Sequence, residues 1–594
     1  MVSIRDPVQL GKMFSINYVF TFWKALVILI PPLLLALLPI LMPSSEIRCA
    51  YVIAVMAVYW MTEAIPMSVT ALIPIFAFPL LGVMSTQETC IVYLNRTNML
   101  FLGGLMVAVA VEHCNLHKRI ALLVILHVGQ SPRRLMGGFM FTAMFLSMWI
   151  SNTATCAMMV PIVYAILQEV YRTHQQKSLQ DPLKDTLLPS NLNERENENT
   201  NACALETGLD IEAMELENKV QDNAETEDLQ PPNDECRAIR DMCFISVACA
   251  SNIGGTGCLT GTGPNLVLNG ILQGSFSEPT GLNFATWLLF NVPPMLICTF
   301  LSWLWLQALF LGVGKNARGH LNTEEAKSMK RMIRKKFDEL GKMSYQEGTV
   351  LVLFILLVFL WMFRAPEFMP GWAKIFKDYF GKSVSDATPV MFVVFLLFIL
   401  PARLPNCLCF RDPNDSSPPT SSPACLTWQA IHEKLPWGVI ILLGGGFAMA
   451  KAAQTSGLSL WLGELLKTLG SIDKVGIMFI VCIMAACVSN VASNTATASI
   501  FLPVIKDLSL GLEINPLYLM LSVTIVCSYA FILPVATPPN AIVFNASGMK
   551  TKEMMRAGVV MNIVCLLVII IFVNTLGVVM FDLNDFPAWT NSTI

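Results

Sequence analysis

Charge is what this chain has least of. Of its 594 residues only 14% are charged and 54% are hydrophobic, where a soluble domain carries roughly 25% charged residues. From Met242 to Gly314 there is no lysine or arginine at all. That scarcity excludes a soluble fold and predicts an all-α polytopic membrane protein, because a helix satisfies its backbone polar groups within its own segment. The seventeen cysteines form no Cys-x-x-Cys pair. Cys407, Cys409 and Cys425 stand near one another without any sign of a metal site, so the set reads as ordinary membrane cysteines. No nucleophile–base or metal-ligand cluster is present, which makes an enzyme the least favoured class. Nor is a cleavable signal expected. The apolar run from Ala25 to Met42 exceeds a signal core and contains Pro31 and Pro32, and it reads as a first spanning helix.

What remains is mostly apolar segments. They start near Tyr18, Tyr51, Met67, Met99, Leu135, Thr155, Cys243, Phe284, Gly348, Val390, Trp437, Val475, Thr497, Pro516 and Gly558. A span needs about 20 apolar residues, and several of these are shorter or interrupted by Gly and Pro; roughly 10 to 13 crossings plus broken or re-entrant pieces are expected. Residues 173–238 are polar, rich in Asn and Glu and poor in aromatics, so a disordered loop is expected there. Deleting much of residues 180–230 is expected to leave activity intact, as an assay of the deletion would show. Residues 315–342 carry Lys315, Arg318, Lys327, Lys330, Arg331, Arg334, Lys335, Lys336 and Lys342, an excess that marks the cytoplasmic side. Asn591-Ser592-Thr593 matches a glycosylation sequon, from which a C-terminus outside the cytoplasm is expected. Glu63, Glu112 and His113 near segment ends read as interfacial, and Lys118 and Arg119 as an interfacial anchor.

The chain repeats itself. Ser151-Asn152-Thr153-Ala154-Thr155 returns 342 residues later as Ser493-Asn494-Thr495-Ala496-Thr497, each copy followed by a proline, Pro161 and Pro503. Leu102-Gly103-Gly104 returns as Leu443-Gly444-Gly445, and Thr262-Gly263-Pro264-Asn265 is answered 275 residues on by Thr537-Pro538-Pro539-Asn540. The shorter second offset is accounted for by the polar loop that only the first half contains.

Matched polar breaks in two repeats are the sequence pointer to a transporter's binding site. An unpaired backbone in hydrocarbon survives only where it lines a cavity. Proline suits the first turn of a helix, so new helices are expected near Pro264 and Pro538, with hairpin tips at Ser151–Thr153 and Ser493–Thr495. A helix N-terminus offers free amides and about half a positive charge to an anion. Side-chain oxygens and freed carbonyls suit a hard cation. No Lys or Arg lies between Leu135 and Tyr171, between Met484 and Ile505, or between Leu521 and Met549. A dianion held there must be neutralised by bound cations and helix dipoles. Against this stands the plainer reading that small polar residues merely help helices pack, which fits one motif better than four in register.

At these residues the sequence resembles the divalent anion:sodium symporter family, the sodium-dependent carboxylate and sulfate carriers that include the INDY-type proteins. Leu116-His117-Lys118-Arg119, Phe145-Leu146-Ser147-Met148-Trp149, Leu443-Gly444-Gly445-Gly446-Phe447 and Pro534-Val535-Ala536-Thr537-Pro538-Pro539-Asn540 carry the resemblance beside the two Ser-Asn-Thr motifs. It implies two inverted repeats with re-entrant helical hairpins and broken helices, a homodimer, and a scaffold against which a transport domain slides as an elevator. By motif, a first sodium (Na+) site resembles Ser147, Ser151, Asn152 and Gly263, and a second resembles Ser489, Ala492, Asn494 and Ala536. Substrate carboxylates would meet Asn152, Thr153, Ser493, Asn494, Thr495, Thr537 and Pro538.

The implied division places scaffold helices of repeat 1 in residues 1–130 and its transport half in 131–172 and 239–314. The loop 173–238 and the basic segment 315–345 follow this scheme, with scaffold helices of repeat 2 in 346–456 and its transport half in 457–594. The expected function is sodium-coupled symport of succinate- or citrate-like anions across the plasma membrane. A sulfate symporter, a sodium-independent carboxylate exchanger and, from another class, an anion channel or receptor are the rivals.

Overall fold

The computed structural model describes residues 16–128, 131–186, 234–312, 323–366, 369–403, 421–466 and 472–591. Among them the regular structure is helical, apart from one isolated antiparallel bridge between Pro401 and Ala424. Six helical stretches among the described residues are long and apolar enough to cross a membrane: Thr21–Leu41, Thr86–His113, Phe284–Phe310, Tyr345–Met362, Trp437–Ser456 and Thr551–Phe581. The first shows its apolar side chains outward, with Leu33 71% and Ile40 72% exposed, as a lipid-facing helix does.

Twelve helices carry the duplication. In the first half they are α1 (Arg96–His113), α2 (Pro132–Ser147), α3 (Asn152–Thr186), α4 (Asp234–Gly254), α5 (Gly263–Ser275) and α6 (Phe284–Phe310). In the second half, in the same order, they are α7 (Trp437–Ser456), α8 (Lys474–Ser489), α9 (Asn494–Gly511), α10 (Pro516–Cys527), α11 (Pro538–Ser547) and α12 (Thr551–Phe572). The starts of α3 and α9 keep the 342-residue offset, and those of α5 and α11 keep the 275-residue one. Packing repeats as well: α2 lies on α4 and α8 on α10, while α3 lies on α4 and α9 on α10.

Length decides what these helices can do. At about 1.5 Å per residue, α5 with 13 residues is roughly 20 Å long, and α11 with 10 roughly 15 Å. A hydrocarbon core is about 30 Å thick, so both must end inside it, and their caps are needed there. Thr262 and Thr537 precede them in extended conformation, φ −148° and −142°, with Pro264 and Pro538 in the first turns. Ser151 caps α3 by accepting from the Ala154 N–H at 3.2 Å.

One expectation is adjusted at its edges. The stretch expected to be polar loop is helical at both ends, since α3 runs to Thr186 and α4 begins at Asp234. Polarity alone does not stop a helix rich in Gln, Lys and Leu. Residues 187–233 lie outside the described residues, as do 315–322 of the basic segment and 592–593 of the sequon. The rest of the basic segment forms the helix Thr323–Glu339, and Arg119 ties down its end. The guanidinium donates to Leu340 O at 3.1 Å and Gly341 O at 3.0 Å and pairs with buried Glu347 at 3.2 Å. Glu112 pairs with Lys434 at 2.9 Å.

Candidate functional site

The two repeats exchange their broken helices. Within the molecule α5 of the first repeat packs on α9 of the second, and α11 of the second on α3 of the first. Gly263 is the contact in one case: a Cβ there would sit 2.1 Å from Thr495 Oγ1, so only glycine admits the approach. In the other, Cys156 Sγ lies 3.5 Å from Pro539 O. The N-termini of α3, α5, α9 and α11 are thereby gathered together. Four ends of about half a charge each amount to roughly +2 before screening, in a region whose flanking segments carry no Lys or Arg.

An identical device holds each break. Asn265 Nδ2 donates to Gly255 O at 3.2 Å and Cys258 O at 2.8 Å. Asn540 Nδ2 donates to Ala530 O at 2.9 Å and Leu533 O at 3.0 Å. In both copies the acceptors lie ten and seven residues before the asparagine, so one buried amide closes the same loop twice. Asn252 then joins the halves, donating to Thr537 Oγ1 at 3.1 Å and Asn540 Oδ1 at 3.3 Å.

Around Ser147 the chemistry turns to oxygen. Its hydroxyl stands 2.7 Å from Asn152 Oδ1 and 2.7 Å from Ser251 O. One hydroxyl has one hydrogen, so it cannot satisfy both oxygens. Three oxygens packed this closely form a donor set that suits a hard cation. Asn152 is pressed flat on Gly255, where a Cβ would stand 2.5 Å from its Oδ1.

The structure brings Ser147, Ser151 and Asn152 together, and Gly263, which can offer its carbonyl, lies against Thr495 of the second repeat. Of the second predicted set, Ser489 donates back into its own helix, to Ala486 O at 3.2 Å. Ala492 and Ala536 are buried with N–H groups on Val488 O and Leu533 O, and their carbonyls are the oxygens they can offer. Asn494 Oδ1 is buried without a hydrogen-bond partner among the described residues. Thr155 Oγ1 and Thr497 Oγ1, equivalent positions one turn into α3 and α9, are orphaned likewise. Buried polar atoms are rarely left unpaired, and matched orphans at matched helix starts point to something that binds there. Ser493 is half-buried, while Thr153 and Pro538 are exposed. Thr537 Oγ1 accepts from Asn252 and from the Asn540 N–H, which leaves its own hydrogen free to donate.

Sequence reading missed Asn252, Asn265, Asn540 and the Ser251 carbonyl. Asn265 and Asn540 close the repeated motif and were visible there. Asn252 was not, because its counterpart at the same offset is Cys527.

The family model described as the sodium:sulfate symporter transmembrane region matches residues 19–583. The sodium/citrate cotransporter of Mus musculus is 41% identical over 575 residues, 96% of this chain and 97% of its own length. Sodium/dicarboxylate cotransporter 3 of Rattus norvegicus is 40% identical over 592 residues, 96% and 95% of the two chains. Solute carrier family 13 member 2 of the same organism is 43% identical over 573 residues, 96% and 94%.

Proposed function

We propose, from the premise that this chain belongs to the sodium:sulfate symporter family, that it carries di- or tricarboxylates across a membrane together with sodium ions. One observation carries the reading: four helix N-termini from two repeats are brought together by segments that carry no arginine or lysine, beside a Ser147 hydroxyl on which two further oxygens crowd. The amides and the bound cations together cancel the charge of the anion. Neither suffices alone, and that interdependence is what makes co-transport obligatory. The names of the relatives, citrate and dicarboxylate cotransporters, support the substrate class.

In this reading sodium binds first at Ser147, Ser151, Asn152 and the Gly263 carbonyl, with the Ser251 carbonyl as an added ligand. A second ion binds at Ser489, Ala492, Asn494 and Ala536 through carbonyls and the Asn494 amide oxygen. Asn152, Thr153, Ser493, Asn494, Thr495, Thr537 and Pro538 form the pocket for the carboxylates, the two asparagines through their amide N–H groups and Thr537 through its free hydroxyl hydrogen. The two repeats are inverted, the transport halves move as an elevator against the remaining helices, and two copies assemble in the plasma membrane.

Competition for uptake tests it. Radiolabelled succinate or citrate is expected to accumulate in sodium medium and to fall to the blank when choline replaces sodium, with unlabelled succinate and citrate competing and sulfate not. Sulfate uptake without carboxylate uptake would transfer the site to the sulfate reading, which the name of the family model favours. Undiminished carboxylate uptake in choline would identify a sodium-independent exchanger.

A further inference from the structure

The duplication supplies its own control for a feature outside the transport site. A cavity of about 350 Å3 opens between α8 and α9, with a purely apolar lining that includes Ile480, Val481, Met484, Phe501, Val504 and Leu508. Moved by the 342-residue offset, these positions become Gly138, Phe139, Thr142, Met159, Ile162 and Ile166. In the first copy that cleft is closed. Phe139, Met159 and Ile166 are fully buried, because helix Leu116–Val128 packs on α2 and helix Thr323–Glu339 packs on α3. Val128 meets Gly138 closely enough that a Cβ would stand 3.3 Å from it. In the second copy Ile480 is 47%, Met484 50% and Val504 38% exposed. The covering helix's counterpart, Leu458–Leu466, packs instead on α7, α9 and the helix Ser45–Thr62.

A groove that the fold fills with its own helix in one copy and that no helix fills among the described residues of the other has room for an outside occupant. The chain is uncharged from Val475 through Ile505, so α8 and most of α9 sit among hydrocarbon. The apolar rod available there is a lipid tail. We propose that the α8–α9 cleft is a binding site for one acyl chain of a membrane phospholipid. This rests on α8 and α9 lying in the bilayer, not on the identity of the transported anion. Its consequence is local: a chain seated on Phe501 and Val504 braces the helix whose first turn carries Asn494 and Thr495.

The test is a cross-link. The full-length protein is placed in nanodiscs containing a phosphatidylcholine with a diazirine at the tail, irradiated, and mapped by peptide mass spectrometry. Adducts on residues 475–508 are expected to saturate, to be competed by unlabelled phosphatidylcholine, and to exceed those at Ile563 and Ile571 of α12, which are 51% and 58% exposed. Val504→Trp, which fills the groove, is expected to lower the α8–α9 adducts roughly tenfold and to leave those on α12 unchanged. Met484→Phe serves as the milder variant where size-exclusion shows that the tryptophan has disturbed folding. Adducts no denser than on α12, or unmoved by competitor and by both substitutions, overturn the proposal. Uptake is not read, so a failed transport reading leaves this result standing on its own.

Discussion

Asn152→Ala and Asn494→Ala are each expected to lower sodium-dependent citrate or succinate uptake at least roughly a hundredfold while leaving surface protein unchanged. The size follows from two charge-assisted hydrogen bonds of about 1.5 kcal/mol each, since each 1.4 kcal/mol is a factor of ten. Folding should tolerate both changes. Each asparagine is the first residue of its helix, and alanine is a better helix former there. Asn494 Oδ1 has no partner among the described residues, so its removal deletes an unsatisfied buried atom. The loss at Asn152 is one contact with Ser147, and the Ser151 cap stays. Surface biotinylation beside radiolabelled uptake separates the two quantities. Wild-type uptake in both variants would remove these residues from the site.

The doubled architecture was legible because both copies kept the residues that backbone geometry demands. Serines just before the hairpin helices, Thr-led starts with a proline in the first turn and motif-closing asparagines recur at fixed offsets, and the structure puts each at an equivalent helix end. The exchange of broken helices between repeats was not legible. It depends on Gly263 meeting Thr495, residues far apart in sequence and belonging to different motifs. The oxygen cluster at Ser147 was half legible: its side chains were, but the Ser251 carbonyl belongs to a backbone that any residue could provide. Lys506 and Asp507 carried no signal at all. They are 3% and 4% exposed, form an ion pair at 3.2 Å, and Lys506 reaches Ser275 Oγ at the end of α5 at 3.5 Å. A Lys-Asp pair at the close of an apolar run gives no hint from sequence that it faces inward. Here it ties the second repeat's hairpin helix to the first repeat's broken one.

The clamp asparagines should behave in the opposite way to the tip asparagines. Asn265→Ala and Asn540→Ala are expected to cost folded protein rather than affinity. Both side chains are fully buried, and each amide nitrogen is shared by two carbonyls. Stranding two buried acceptors costs about 1–3 kcal/mol apiece, a large part of the roughly 5–15 kcal/mol that holds a typical domain together. A sharper variant separates hydrogen bonding from volume. Asn540→Asp keeps the shape and replaces the donor with an oxygen, which then faces Ala530 O and Leu533 O as a third acceptor. If the donor is what closes the break, the aspartate must be no better than alanine; if filling space is enough, the aspartate restores the protein. Fluorescence-detected size-exclusion with a thermal challenge reads this directly, and a monodisperse Asn540→Asp variant melting with the wild type would refute the clamp. Loss of folded protein on substituting Asn265 and on substituting Asn540, with the tip variants still folded, would mean that one molecule uses asparagine in two ways: at the loop ends to build the broken helices, and at the helix starts to meet what they bind.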